Sequence, residues 1–398
     1  MALITLDKKA YERNLSLIID KAGGASQVIC VMKNNAYGHG IELIAPLAKQ
    51  MGVEFIALKN ESEALFMQGF FKNILILSHH PNGAEKAEFI YALNAKDDLA
   101  RLKSGTRVHL AIDTGMHRNG VFVSELEELF DKAKRHNIYI EGLFTHFACA
   151  DELDGRYFAQ KQIFEEAKKK ALKLSSQRLI FHSHNSAALF RCEKLPENEL
   201  CRVGLAQFGY NEFCAELEPV LKLYAHKLSA RTLKAEQSVG YGGAYTATKD
   251  IQIAVYDLGY ADGLFRYDGK GILPLAELSK RDDIDFAKEL SKQNSTNLAQ
   301  NLNQNSQNDK TNSNENSATN ANSQCANSAI KANLRHANSV PNPHACLLGR
   351  MSMDSFSCED LGERVCVFDD ARVWAKFFST IEYEILAKLS PFIPRILV

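Results

Sequence analysis

The sequence predicts an α/β protein, with an N-terminal (β/α)8 barrel and a C-terminal mostly-β domain. The first reason is that short apolar runs alternate with segments of helical polar spacing from about residue 8 to about residue 210. The second reason is that strand-like runs follow one another without helices after about residue 220. About eight strands in roughly 200 residues suit a closed barrel better than an open parallel sheet.

The elements of the predicted barrel are short. Strands are expected at residues 28–32, 55–58, 74–77, 107–112, 139–144 and 179–182, where β-branched and apolar side chains dominate. Helices are expected at residues 41–51, 61–69, 124–136 and 157–174. Polar residues follow several of the apolar runs, and the carboxyl ends of barrel strands are where this fold places its chemistry.

The predicted domains differ in their pattern of secondary structure and in composition. Residues 8–220 form the predicted barrel, and residues 221–398 form the mostly-β domain, which residues 1–7 are expected to join. Strands of that domain are expected at 220–229, 251–257, 345–352 and 365–368, with a terminal helix at 380–389. Residues 287–342 are dominated by Asn, Ser and Gln, which cannot bury enough apolar area to offset chain entropy. We therefore predict a low-complexity, disordered insertion there.

Charge and cysteine content exclude several classes of protein. The 398-residue chain has 47 basic and 48 acidic residues, so no net field attracts nucleic acid or an anionic membrane. Its start lacks the zones of a signal peptide, and no apolar run approaches the roughly 20 residues of a membrane span. The nine cysteines are scattered without a Cys-x-x-Cys pair, so no metal is expected. We expect a cytoplasmic protein.

One lysine ends a predicted buried strand. The apolar run at 28–32 stops at Lys33, and a polar turn with two glycines follows it. Burial of the cation would lower the pKa of Lys33 and leave a usable amine nucleophile or base. Position alone leaves a second interpretation open, in which the side chain extends along the apolar surface to reach solvent.

The residues around Lys33 favour the first interpretation. The sequence Lys-Asn-Asn-Ala-Tyr-Gly-His-Gly at 33–40 resembles the cofactor-lysine motif of alanine racemases, which are fold-type-III pyridoxal phosphate enzymes. The resemblance implies that Lys33 is bonded covalently to the cofactor and that Tyr37 contacts the cofactor phosphate. Eight such motifs occur in the family order, and they cover nearly the whole chain apart from the insertion.

A second motif contains an arginine. Asp-Thr-Gly-Met-His-Arg at 113–118 resembles the loop that follows the fifth strand in the family. The resemblance implies that Arg118 contacts the substrate carboxylate, which the planar guanidinium suits. The family often has a carbamylated lysine two residues before the Asp, where this chain has Ala111. We expect an inorganic anion such as chloride, or a nearby carboxylate, to replace that charge.

Two motifs imply contacts with other parts of the cofactor. Thr-His-Phe at 145–147 resembles the element whose histidine packs on the pyridine ring, a role that falls on His146. Asp151 would lie along the path by which substrate arrives. Asn-Ser-Ala-Ala at 185–188 implies a phosphate contact from Ser186, because a hydroxyl and free N–H groups suit an anion. A core histidine and a plain helix cap are the alternatives.

The sequence Arg-Val-Gly-Leu at 202–205 resembles the family element Arg-Pro-Gly-Ile/Leu. Gly204 and Leu205 would donate backbone N–H groups to the phosphate. Arg202 would face the pyridine nitrogen, which would stay neutral because arginine cannot accept its proton. A neutral ring favours return of the proton to the substrate over transamination. Position alone also allows Arg202 to be a salt-bridged barrel residue.

The second domain carries the motif of a second base. The loop at 238–245 resembles the family loop whose tyrosine comes from the other subunit of a dimer, and that residue is Tyr241. Lys33 and Tyr241 would then exchange protons on opposite faces of the substrate. Without the other motifs, a turn tyrosine flanked by glycines would be the simpler interpretation.

Further motifs of this domain concern access to the site. The resemblance implies that Tyr260 and Arg266 line the entrance, and that Met353 and Asp354 lie near the carboxylate of a substrate held by the partner subunit. A family tyrosine that often forms the inner gate aligns with Pro391, so the sequence leaves both the gate and the substrate breadth open.

The resemblance therefore predicts a homodimeric, pyridoxal-phosphate-dependent enzyme that interconverts L- and D-alanine and supplies D-alanine for peptidoglycan. The first alternative is a racemase of the same fold with broader specificity. The second is a non-catalytic barrel protein that carries the same cofactor, but such proteins generally lack the β domain. A decarboxylase would need an acidic partner for the pyridine nitrogen, where this chain has Arg202.

Overall fold

The computed structural model describes residues 1–152, 154–277 and 345–398. Its N-terminal part is a closed barrel of eight strands, which confirms the predicted fold class. The predicted insertion at 287–342 lies outside the described residues. Within the described ranges, no helix combines the length and the apolar character needed to cross a bilayer.

The strand β1 (Leu3–Leu6) precedes the barrel. The barrel strands are β2 (Val28–Val31), β3 (Phe55–Leu58), β4 (Asn73–Ile76), β5 (Ile90–Leu93), β6 (Arg107–Ala111), β7 (Tyr139–Phe144), β8 (Ile180–His184) and β9 (Glu199–Val203). Each barrel strand pairs in parallel with the next one. The β2–β9 pair, which includes Val28 opposite Cys201, closes the barrel.

The sequence pattern did not predict two of these strands, β5 and β9. The strand β5 follows a loop instead of a helix, so the alternation on which the prediction depended is interrupted there. The strand β9 contains Glu199 and Arg202 among its five residues, and both side chains are buried. Charged residues inside a strand hide the apolar pattern that marks its neighbours.

Helices and short 3-10 turns surround the barrel. The helices are Lys8–Ala22, Ile41–Gln50, Glu61–Phe66, Leu126–Arg135, Arg156–Leu174 and Ser186–Arg191; the 3-10 turns are Ala25–Gln27, Lys96–Arg101, Val123–Glu125 and Leu205–Phe208. The first helix begins where Asp7 accepts a hydrogen bond from the Ala10 backbone N–H at 2.9 Å. It ends at Gly23, whose φ of 90° is the left-handed cap that glycine adopts readily.

The C-terminal part contains a seven-stranded sheet among the described residues. Besides β1, its strands are β10 (Leu221–Leu233), β13 (Ile251–Tyr256), β14 (Leu347–Leu348), β15 (Phe356–Glu359), β16 (Arg364–Phe368) and β17 (Arg395–Leu397). The strands β11 (Ser238–Val239) and β12 (Tyr245–Thr246) form a separate hairpin. The strand β1 pairs antiparallel with β10 and parallel with β17, so both ends of the chain lie in this sheet.

Some details of the predicted second domain were wrong. The run at 345–352 forms only the two-residue strand β14, after which the chain turns at Gly349 (φ 68°). The strand β15 and the helix Ala371–Phe377 were not predicted. The terminal helix is shorter than expected and spans Glu382–Ala387. The boundary between the domains at residues 220 and 221 stays a prediction.

The side chains of His39, His109 and His182 are fully buried in the core. His109 on β6 and His182 on β8 meet across β7, with His109 Nδ1 2.7 Å from His182 Nε2. His39 stacks on Phe208 with ring centroids 3.9 Å apart. Burial lowers the pKa of His39 and of His109 to about 3, and burial together with the nearby Arg202 cation lowers that of His182 well below its ordinary value.

Because the pKa values of these histidines are lowered in the folded protein, we expect the protein to lose stability in acid. Each takes up a proton near pH 6.5 in the unfolded chain, but His39 and His109 do so only near pH 3 in the folded protein. The free energy of unfolding should therefore fall as the pH drops from 7 towards 5, by about 2 kcal/mol per buried histidine. Denaturant unfolding at both pH values measures this change.

A pair of variants isolates the contribution of one ring. The substitution His109→Gln should remove about 2 kcal/mol of the pH dependence, because one titrating group is lost. The substitution His80→Gln, at an exposed histidine, should leave the pH dependence as it is. A wild-type stability that does not change between pH 7 and pH 5 would contradict the prediction.

Candidate active site

A large cavity opens at the carboxyl ends of the barrel strands. Its volume is about 1370 Å³, which is ample for a ligand of cofactor size. The structure brings nine of the predicted site residues together in its wall: Lys33, Tyr37, Arg118, His146, Asp151, Ser186, Arg202, Gly204 and Leu205. These residues come from five strand ends and the loops that follow them, as in other barrels with chemistry at that face.

Lys33 begins a left-handed turn immediately after β2. The backbone φ angles from Asn34 to Tyr37 lie between 52° and 54°. This conformation costs roughly 1–2 kcal/mol for each residue that has a Cβ. The Asn34 N–H donates to Glu63 Oε1 at 2.8 Å, and the Gly38 N–H donates to the Asn34 carbonyl at 3.1 Å. The surrounding structure therefore holds the turn that orients Lys33.

The C-terminal end of the chain supports the same turn. Arg395, which is 8% exposed, donates from Nε to the Gly38 carbonyl at 2.8 Å. A Cβ on Gly38 would lie 2.1 Å from the Leu386 carbonyl oxygen, and the φ of Gly38 is 82°. Only glycine fits this position, so β17 and the last helix are packed directly on the turn after Lys33.

The Lys33 amine is half-buried among cations. Burial lowers its pKa, and the positive charges of Arg118 and Lys59 lower it further. The Glu63 carboxylate acts in the opposite direction and raises the pKa of Lys33. The net effect is a lowered pKa, so a larger fraction of the amine is neutral near neutral pH than in an exposed lysine.

Tyr37, Ser186 and Gly204 meet at one side of the cavity. Ser186 Oγ accepts a hydrogen bond from the Gly204 N–H at 3.1 Å. The Tyr37 hydroxyl approaches so closely that a Cβ on Gly204 would lie 2.7 Å from it. Burial raises the pKa of Tyr37, so its hydroxyl stays protonated and can donate. Two hydroxyls and a backbone N–H in one place can bind an anion.

Arg202 is a buried cation with neutral hydrogen-bond partners. Its Nη1 donates to His182 Nδ1 at 2.9 Å, and its Nη2 donates to the Thr145 carbonyl at 2.5 Å. No carboxylate bonds to it in the part of the chain that the structure describes, so it is not the salt-bridged residue that position alone allowed. Burial lowers the pKa of Arg202 to about 10, which still leaves a cation at neutral pH.

His182 and His109, which the sequence did not indicate, extend a chain of hydrogen bonds from Arg202. Because arginine only donates, His182 Nδ1 must accept, and His182 Nε2 must carry the proton that reaches His109 Nδ1. Arg202 thereby fixes the tautomer of both rings. The sequence does contain one histidine within each of two apolar strands, β6 and β8. Such residues also occur as ordinary core histidines, so this pattern alone does not indicate a functional site.

Tyr383 is a further residue of the site that the sequence did not indicate. Its ring packs edge-on against the Tyr37 ring, with centroids 5.7 Å apart, and it lines the cavity. Burial raises the pKa of Tyr383 to about 12, and the acidic side chains of Glu212 and Asp151 add to this effect. Pro391, which aligns with the family's gate tyrosine, is not in the described wall of the cavity.

The remaining predicted residues do not reach this cavity within one chain. Tyr241 begins the 3-10 turn Tyr241–Gly243 between β11 and β12, and its side chain is 67% exposed. It borders a separate hollow of about 800 Å³ that Arg350 also lines. The other predicted residues of this domain are exposed as well: Tyr260, Arg266, Met353 and Asp354.

One group of side chains has the spacing of a metal site, although none was expected. Ligand atoms of Cys149, Glu152 and Asp154 lie within 4.8 Å of one another. Arg156 already bonds to both carboxylates, with Nη2 2.8 Å from Glu152 and Nε 2.6 Å from Asp154. The guanidinium therefore occupies the acceptors that a cation would need.

Comparison with known proteins identifies the family. The model of the alanine racemase N-terminal domain matches residues 6–212, and that of the alanine racemase C-terminal domain matches residues 220–275. An alanine racemase of Campylobacter jejuni subsp. doylei is 48% identical over 398 residues, which is the full length of both chains. The chain belongs to the alanine racemase family. It is thus an isomerase that racemises alanine.

Solved alanine racemases share the fold. The structure from Clostridium difficile 630 has a TM-score of 0.76 at 22% identity and covers 100% of this chain and 95% of its own. The structure from Bartonella henselae, described with covalently bound pyridoxal phosphate, has a TM-score of 0.71 at 20% identity and covers 100% of this chain and 99% of its own. The barrel and the sheet domain are therefore the alanine racemase architecture.

The Glu63 carboxylate provides a test of the electrostatics around Lys33. The substitution Glu63→Gln removes the charge that raises the pKa of Lys33, so this pKa should fall further. The measurement is the pH dependence of Lys33 acylation in the ligand-free protein, followed by mass spectrometry. Glu61→Gln on the same helix is the matched control and should leave the profile in place. An unchanged or raised pKa in Glu63→Gln would contradict the assignment.

Proposed function

We propose that this alanine racemase holds pyridoxal phosphate in the barrel cavity, bonded covalently to Lys33, and racemises alanine by a two-base mechanism. The observation that carries the proposal is the Lys33 amine, whose pKa is lowered in a cavity that also contains anion donors and the buried Arg202 cation. The fold that this chain shares with the Bartonella henselae enzyme, described with covalently bound cofactor, supports it.

The donors at one side of the cavity fit the cofactor phosphate. The hydroxyls of Tyr37 and Ser186 and the N–H groups of Gly204 and Leu205 would hold it, since all four residues line the cavity. Gly204 is needed because a side chain there would meet the Tyr37 hydroxyl at 2.7 Å. Hydrogen bonds from such donors to a dianion are charge-assisted and therefore strong.

Arg202 and His146 fit the aromatic ring of the cofactor. Desolvation, the cations Arg202 and Arg118, and Lys33 lower the pKa of His146 to about 3, so its imidazole is neutral and can pack on a ring. When bound, pyridoxal phosphate withdraws electrons from the substrate Cα and acidifies its proton. Arg202 donates and cannot take up a proton from the pyridine nitrogen, which limits that withdrawal and favours simple proton return.

Arg118 is proposed to bind the substrate carboxylate in bidentate fashion. The wall beside it lacks the charge of a carbamylated lysine, because Ala111 offers only a methyl group. Asn94 comes directly after β5, whose last residue Leu93 pairs with Leu110, and both Asn94 and Ala111 line the cavity. The Asn94 amide donates to the Leu77 carbonyl at 3.0 Å and brings no charge. We therefore retain an inorganic anion as the group that orients Arg118.

The second base requires a second subunit. Lys33 lies in the barrel cavity, whereas Tyr241 is exposed on the sheet domain and borders a different hollow. In a homodimer, Tyr241 of the partner subunit would complete each site on the face opposite Lys33. The partner would also bring Met353 and Asp354 towards the substrate carboxylate.

The entrance would be formed by both subunits. Asp151 lines the barrel cavity, and Tyr260 and Arg266 lie exposed on the sheet domain. Since Pro391 is not in the described cavity wall, a site with room for larger side chains is the second candidate function. Turnover of alanine compared with serine and lysine separates the two. We propose that D-alanine made in the cytoplasm is used for peptidoglycan.

Two substitutions separate cofactor attachment from proton transfer. Lys33→Ala should remove the visible absorbance of lysine-bound cofactor and abolish racemisation. Tyr241→Phe should keep that absorbance and lower kcat by about 10²-fold or more, because one proton-transfer group is lost. Absorbance spectra and a chiral assay of L-alanine turnover measure both. Full activity in Tyr241→Phe would remove this residue from the mechanism.

A further inference from the structure

We infer that Gln207 is a positioning residue for the phosphate end of the barrel cavity, an inference that rests on the proposed function. Gln207 belongs to the turn Leu205–Phe208 and is 0% exposed. Its Nε2 donates to the Val203 carbonyl at 2.8 Å, to the Gly204 carbonyl at 3.2 Å and to the Val31 carbonyl at 3.2 Å. One amide therefore holds two consecutive carbonyls of the anion-binding turn.

The carbonyls that Gln207 holds determine where the neighbouring N–H groups point. In a trans peptide the C=O and the N–H point in opposite directions. The peptide between Val203 and Gly204 shows the result, because its C=O faces Gln207 and its N–H donates to Ser186 Oγ at 3.1 Å. The C=O of the next peptide, between Gly204 and Leu205, accepts a hydrogen bond from the same Gln207 amide. The Leu205 N–H must therefore also point away from Gln207.

Two successive N–H groups on the same side of the chain form a concave donor site for an anion. The Gly204 N–H and the Leu205 N–H make such a pair, and both residues line the barrel cavity beside the Tyr37 hydroxyl. Gln207 does not touch the bound group in this arrangement. It acts through the backbone, by keeping both N–H groups on the side of the chain that faces away from its amide, where the Gly204 N–H also contacts Ser186 Oγ.

The third contact of Gln207 connects the anion site to the reactive lysine. Val31 is the last residue of β2, and Lys33 follows two residues later. The amide thereby sets the spacing between the phosphate donors on one strand end and the amine on the next. A cofactor bonded at one end to Lys33 and held at the other by its phosphate depends on that spacing.

Packing alone does not explain an amide at this position. Gln207 lies among fully buried groups, where Tyr11 OH donates to its Oε1 at 3.2 Å and Asn14 Nδ2 donates to its backbone carbonyl at 3.3 Å. A methionine of similar volume would fill the same space without requiring these polar partners. The polar side chain supplies orientation, which methionine cannot.

The test compares Gln207→Met with the wild-type holoenzyme. The dissociation constant for pyridoxal phosphate, from equilibrium dialysis, should rise by about tenfold, the size expected when well-aimed hydrogen bonds to a charged group are lost. The ³¹P resonance of the bound cofactor should shift, because its donors are no longer fixed. At saturating cofactor, the KM for alanine should stay near the wild-type value.

Two further variants separate the effect of Gln207 on the carbonyls from its effect on packing. Tyr11→Phe removes a hydrogen bond to the same side chain but none to the carbonyls, so Tm should fall while cofactor affinity and the ³¹P resonance stay unchanged. Gln207→Glu keeps the volume and offers at most one donor, so it should also weaken cofactor binding if Gln207→Met does not fold.

Different results would refute the role of Gln207 and the proposed binding of pyridoxal phosphate. Wild-type cofactor affinity and ³¹P resonance in a folded Gln207 variant would overturn it, and so would equal weakening in Tyr11→Phe, which would indicate general loosening of the core. A wild-type protein that binds no pyridoxal phosphate would instead refute the proposed function.

Discussion

The site depends on three cationic side chains that share one cavity. Lys33, Arg118 and Arg202 all line it, and the positive charge of Arg118 adds to burial in lowering the pKa of Lys33. Arg202 is held by a histidine and a carbonyl and not by a carboxylate. Acidic side chains such as Asp113 and Asp151 also line the cavity. A phosphate and a substrate carboxylate would each add a negative charge beside these three cations.

The same cavity shows how the two ends of the chain contribute to one site. The left-handed turn after Lys33 is costly as an isolated structure, and it is held by Glu63 from the helix that follows β3 and by Arg395 from the last strand. The close approach of the Leu386 carbonyl to Gly38 leaves no room for another residue. Residues more than 300 positions apart therefore determine how Lys33 is presented, and the C-terminal sheet is part of the active-site support.

The sequence alone predicted the fold class and nine residues of the cavity wall. The apolar run that ends at Lys33 is unambiguous, because a strand buried on both faces reads as a continuous apolar segment. The strand β9 was missed because Glu199 and Arg202 interrupt its pattern, although Glu199 is neutralised in place by Lys168 at 2.7 Å. Such compensation between distant residues is not visible in a single sequence.

Other features of the site could be found only in the structure, because they depend on contacts that sequence spacing does not reveal. His109 and His182 are 73 positions apart, so their contact cannot be deduced from spacing. Gln207 looks like an ordinary turn residue until its three acceptors are seen together. Tyr241 was recognised from its motif, but only the structure shows that it lies outside the Lys33 cavity of its own chain. Because of that separation, each site of the proposed two-base mechanism needs two subunits.

The most direct test of the shared site is complementation between two inactive variants. Lys33→Ala and Tyr241→Phe subunits are mixed and allowed to exchange, and racemisation of L-alanine is followed by chiral chromatography while mass spectrometry confirms hybrid dimers. Each hybrid has one site with both native residues, so random exchange should restore about a quarter of the wild-type activity. Confirmed hybrids without any recovered activity would contradict the account.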